Sequence, residues 1–193
     1  EVKGKAFAKL YEPFGETISK RVLEYHNQHG GVSRLEKFKH FHQVFLEMPL
    51  SENALNTLCD KFSTIVKTEV IEADWISGAK SFLENYYQRL QFFVASATPE
   101  VELKDIMKHR HMTAYFKGVY GAPKPKKQIV RDTLTTHELD SKATVMIGDA
   151  MTDYEAAIDN QIDFIGVGLT AAKCPKASAL IKDLSLLHQY IEI

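Results

Sequence analysis

An α/β fold preceded by a helical domain is predicted from three observations. Residues 1–74 carry apolar positions at helical spacing and no convincing strand. Residues 75–193 alternate short apolar runs with amphipathic stretches of helical length. Several of those runs end in small, hydroxyl or acidic residues. Such alternation builds an open parallel sheet with helices on both faces, and ligands then bind outside the carboxyl ends of the strands.

In the first half, Ala6, Phe7, Leu10, Tyr11 and Phe14 mark one helix, and Ile18, Val22, Leu23 and Tyr25 a second. Gly30-Gly31 stops the second, because glycine readily takes the left-handed conformation past a helix end. Ser33-Arg34-Leu35-Glu36 reads as a capping box, opening a helix with Phe38, Phe41, Val44 and Phe45 inside. Pro49 breaks that helix, and Ser51 caps a fourth through Leu55, Leu58, Phe62 and Ile65. In the second half the expected strands are 90–95, 118–120, 144–148 and 163–167. Between them lie helices at 77–89, 99–109, 125–137 and 152–160.

Composition narrows the function. Lysine and arginine number 24 against 25 aspartates and glutamates, without the basic excess of a nucleic-acid binder. Two distant cysteines, Cys59 and Cys174, suggest no disulfide framework and are expected to be reduced in a cytoplasmic protein. The apolar runs are strand-length, which speaks against a membrane span.

Three segments carry chemistry. In Thr144-Val-Met-Ile-Gly148-Asp149-Ala-Met-Thr-Asp153, a buried strand ends in glycine and an aspartate projects from the sheet edge. Asp153 enters the first turn of a helix that Thr152 caps. Two carboxylates gathered at one strand end favour a hard, oxygen-seeking cation such as Mg2+. In Leu90-Gln-Phe-Phe-Val-Ala-Ser96-Ala97-Thr98-Pro99, a strand ends in a hydroxyl residue whose side chain and neighbouring amides suit a phosphate. In Gly121-Ala-Pro-Lys124-Pro-Lys126-Lys127, a basic loop can neutralise a phosphoryl group. The bland alternatives are turn residues, a first-turn acid and a solvated basic loop.

The succession strand-Ser, loop lysine, strand-Gly-Asp-x-x-x-Asp resembles the second, third and fourth motifs of the haloacid dehalogenase-like hydrolases. The resemblance spans nearly the whole chain. It implies a Rossmann-like parallel core over 75–193 and a helical cap over 1–74, as in the phosphoglycolate phosphatase and β-phosphoglucomutase branch. Asp149 would then ligate magnesium, and Asp153 would support the ion or orient the lysine. Ser96 and Ala97 would bind the phosphoryl oxygens, and Lys126 is the preferred lysine, with Lys124 and Lys127 open. Gly31-Val-Ser-Arg34 resembles a cap substrate loop of the mutase branch, which would place Arg34 over the substrate. The implied activity is hydrolysis of a small phosphorylated metabolite through an aspartyl-phosphate. Phosphatase and mutase outcomes both stay open.

The family's first motif, an Asp-x-Asp ending the first and central strand, has no counterpart among these residues: no aspartate is followed by another two positions on. Its expected place is immediately upstream of Glu1, so the 193 residues alone are expected to be inactive or nearly so. A non-catalytic phosphate-binding module of the same fold is the alternative. Gly166-Val-Gly168-Leu-Thr-Ala171 also fits a dinucleotide fingerprint, which requires a following helix. His40/His42 and His109/His111 stand two apart, on different sides of any helix, and read as ordinary histidines.

Overall fold

The computed structural model describes residues 2–191. The chain divides into two compact units, Glu1–Ala73 and Asp74–Ile193. The expected domains reach residues 1, 192 and 193, which lie outside the described residues.

The first unit is helical: α1 (Val2–Tyr11), α2 (Glu16–Gln28), α3 (Arg34–His40) and α4 (Glu52–Glu72). Its core is aromatic, with Phe7, Tyr11, Phe38, Phe41 and Phe62 all at most 2% exposed. Phe7 touches the other three Phe rings at centroid distances of 4.2–5.6 Å, and each buried ring contributes about 1.5–3 kcal/mol. Ser33 and Ser51 cap α3 and α4, accepting from the Glu36 and Ala54 amides. Two expectations need correction. Pro13 ends the first helix early, so Phe14 sits in a separate 3-10 turn, partly exposed. The third helix widens into a π-helix over Phe41–Leu46, which carries Val44 outward.

The second unit contains α5 (Ala79–Tyr86), β1 (Phe92–Pro99), α6 (Glu100–His109), β2 (Phe116–Ala122), α7 (Lys126–Thr136), β3 (Val145–Gly148), α8 (Met151–Asp159), β4 (Asp163–Val167) and β5 (Ala179–Ile181). All pairings are parallel, as strand–helix alternation requires. β1 runs past its expected end to Pro99, with a register irregularity between Ala95 and Pro99. Thr144 drops out of β3, its hydroxyl donating back to the Asp140 carbonyl at 2.7 Å. The three-residue β5 was not anticipated; so short a run carries no readable alternation. Gly166 lies within β4, and Gly168 is followed by turns rather than a helix, so the dinucleotide reading lacks its required element.

Among the described residues the strands form two sheets, β1–β2 and β3–β4–β5. β1 and β3 both line an apolar cleft of about 630 Å³. Their side chains are mostly half-buried rather than buried. This is the position at which the resemblance expects a central strand.

Candidate functional site

The site begins where β3 stops. Gly148 is its last residue, and a Cβ added there would lie 2.4–2.5 Å from side-chain atoms of Asp153. Glycine is thus needed for close approach, since it lets the Asp153 carboxylate fold back against the strand tip. One carboxylate oxygen, Oδ2, accepts the Ala150 amide at 3.1 Å, capping α8 from its third position. Thr152, expected as the cap, does not serve; the helix starts one residue earlier, and the Thr152 hydroxyl is buried without a partner.

The other oxygen, Oδ1, accepts from Lys126 Nζ at 2.5 Å, with the side chains 5% and 13% exposed. Lys126 is the first residue of α7, where the helix dipole disfavours a cation. A local rule broken in this way requires an offsetting partner, and Asp153 supplies it. The pair ties α7, which follows β2, to α8, which follows β3, and so joins the carboxyl ends of the two sheets. Burial pushes the Asp153 carboxyl up; Lys126 and the Ala150 amide pull it back, Asp149 adds to the rise, and the net direction is upward.

The other two lysines behave differently. Lys124 pairs with Asp132 at 2.5 Å on the exposed surface. Lys127 is exposed, and its carbonyl, not its side chain, accepts from Asn160. Burial beside a carboxylate therefore distinguishes Lys126, and no periodicity carries that information.

Ser96 and Ala97 stand at the carboxyl end of β1, half-buried. The Ser96 hydroxyl accepts the Thr98 amide at 3.1 Å, which leaves its own O–H proton to donate elsewhere. Pro99 pairs with Ala122, placing this tip beside the loop that leads into Lys126. Glu100 was not foreseen. It accepts the Gly121 amide at 3.3 Å and Lys104 at 2.5 Å, fastening the β1 and β2 ends together. Lys104, hydrogen-bonded to it, is the leading cause that lowers its pKa. Its only sequence signal is the four-residue spacing to Lys104.

Arg34, which the resemblance implies over the substrate, belongs to the helical unit. It is 7% exposed within the helical unit, with its guanidinium bonded to the Ser63 hydroxyl and 4.8 Å from the Phe62 ring centroid.

Asp149 is exposed immediately beyond β3. Among the described residues no group of three or more His, Cys, Asp and Glu gathers to hold a metal ion. Both Asp153 oxygens already accept hydrogen bonds, so Asp149 is the carboxylate free of such commitments at this tip. A single exposed carboxylate with oxygen-only chemistry fits a magnesium ion that keeps several waters and takes phosphate oxygens from its substrate. It does not fit a closed all-protein cage. No helix among the described residues is long and apolar enough to cross a membrane.

Residues 5–167 match the family model described as haloacid dehalogenase-like hydrolase. A 5'-nucleotidase of Pseudomonas aeruginosa is 28% identical over 110 residues, which is 52% of this chain and 50% of that protein. The chain spans about half the length of this curated relative. Among solved structures, a β-phosphoglucomutase of Clostridium difficile superposes with a TM-score of 0.78 at 17% identity, over 98% of this chain and 89% of that one. The HAD-hydrolase YfnB of Bacillus subtilis, described as bound to magnesium, gives 0.73 at 14% identity, over 100% and 92%. At these identities the structural likeness speaks for the fold.

Proposed function

Because this chain belongs to the haloacid dehalogenase-like hydrolases, we propose that it works as a magnesium-dependent phosphatase on a small phosphorylated metabolite. The carrying observation is the Lys126–Asp153 pair at the tip of β3, its carboxylate buried and its lysine half-buried. A half-buried cation at a parallel-sheet edge is suited to the charge of a transferring phosphoryl group. Asp153 acts as a positioning residue: it fixes Lys126 Nζ through one oxygen and the strand tip through the other. Ser96 would donate its hydroxyl proton to a phosphoryl oxygen, with the Ala97 amide as a second donor. Asp149 would hold the magnesium ion, which when bound polarises the phosphoryl oxygens.

In this reading the nucleophile is an aspartate outside these 193 residues, at the end of a strand seated between β1 and β3. It attacks phosphorus in line, the ester oxygen leaves, and water then cleaves the aspartyl-phosphate. The substrate class is supported by the names of the relatives, a nucleotidase and a phosphoglucomutase. Arg34 is left out of the proposed set because its guanidinium is committed to Ser63 and Phe62.

An aryl phosphate assay with magnesium tests the division of labour. The 193-residue chain is expected to bind phosphate yet turn over almost nothing. Robust turnover that disappears in Asp149→Asn would show that a nucleophile lies within these residues, and the reading would fail.

A further inference from the structure

We propose that a groove at the amino-terminal ends of β1 and β2 binds a small anion carrying a flat ring, of the nucleoside monophosphate type. The groove encloses about 620 Å³, within the range of small-ligand sites. It is built by the turn from α5 into β1 and by the start of β2 with the 3-10 turn before it. Gln91 lies five residues before Ser96, about 16 Å along an extended chain, so the groove and the strand-tip site are separate. Parallel sheets ordinarily bind ligands at the opposite, carboxyl ends. No step of the phosphatase reading uses these residues.

The lining groups fix the ligand's chemistry. Tyr87 and Tyr115 meet edge to face with ring centroids 5.5 Å apart, and Tyr87 is 36% exposed. An exposed ring face in a groove is a platform on which a base or another flat ring stacks. Gln88 donates to the Tyr87 hydroxyl at 3.2 Å, which leaves its own carbonyl to read a ring edge. Gln91 adds a second exposed amide. The charged lining is Arg89 and Lys117, both exposed, and among the described residues no acid lines the groove with them. Two like charges facing one space repel, and an anion between them removes that cost. The carboxyl pole of α5 accounts for a cation at Arg89. No such pole accounts for Lys117, the second residue of β2. Arg89 offers a planar fork that suits a phosphate, and Lys117 a point charge. The near balance of charge over the whole chain favours a small anion over a nucleic-acid strand.

The inference stands apart from the strand-tip reading, and amide-resolved NMR separates the two. Adenosine monophosphate would be titrated into the 193-residue chain without magnesium. The amides of residues 87–91 and 114–117 are expected to shift saturably, in the parent and equally in Lys126→Met. Lys117→Glu, at an exposed position, is expected to weaken that binding about tenfold or more. Tyr115→Leu, which keeps apolar bulk without a ring face, is expected to weaken it about tenfold. Adenosine and a ribose phosphate each carry half of the ligand. Both should shift the same amides only at concentrations about tenfold higher or more. Shifts confined to the strand tips, unchanged binding by Lys117→Glu, or equal binding of the ribose phosphate would each overturn the proposal. So would groove shifts that vanish in Lys126→Met.

Discussion

Each unit draws a lysine in from solvent, Lys37 fully and Lys126 partly, and the two are solved differently. In the helical unit Lys37 is 1% exposed, donates to His26 Nδ1 at 2.9 Å and lies 5.6 Å from the Phe7 ring centroid. Burial, with Lys3 nearby, holds its pKa down to about 8. Burial and then Lys37 hold His26 at about 4, which suits a neutral imidazole accepting the bond. In the α/β unit Lys126 faces a carboxylate instead. A lysine against rings and an imidazole is a cost that packing carries. A lysine fixed by a carboxylate at a sheet edge has its charge balanced there, and the proposed function sets that pair against a phosphoryl group.

That contrast is broken most forcefully at Asp153. Asp153→Ala removes the buried acid and leaves the half-buried Lys126 without its partner, and is expected to cost about 3 kcal/mol of α/β-unit stability by denaturant unfolding. Gly148→Ala comes next, at about 1–3 kcal/mol, because the new Cβ meets Asp153 at 2.4–2.5 Å. A melting temperature unchanged in Gly148→Ala would mean that the carboxylate does not fold back on the strand tip.

Lys37→Met should move the other way. Removing a poorly solvated amine is expected to stabilise the helical unit by roughly 1 kcal/mol, read by exchange of its slowest amides. The pH dependence sharpens the point. Both His26 and Lys37 give up protons more readily folded than unfolded, so the unfolded chain binds more protons and stability rises with pH. The rise runs from about 4 to 6.5 for His26 and from about 8 to 10.5 for Lys37. Lys37→Met should abolish the upper rise, and its persistence would assign that rise elsewhere. The smallest effect belongs to Lys124→Ala, whose exposed pair with Asp132 should leave the unfolding midpoint unmoved.

Alternation and turn chemistry made much of this architecture readable. The 163–167 strand has the observed bounds, and Ser33 and Ser51 cap where the sequence places them. What escaped was set by three-dimensional neighbours. Apolar spacing alone cannot tell an α-turn from the π-turn at Phe41. The cap of α8 belongs to Asp153 rather than Thr152 because Gly148 opens space beneath it. At the candidate site, the strand-tip segments are visible as motifs, whereas the difference between Lys124, Lys126 and Lys127 is one of burial.

Titration of inorganic phosphate into the 193-residue chain, with magnesium present, tests the strand-tip pocket most directly. Lys126→Met is expected to weaken binding about tenfold or more, a loss of about 1.4 kcal/mol, while Lys124→Met binds as the parent does. Equal binding by the parent and Lys126→Met, or a loss confined to Lys124→Met, would contradict the account.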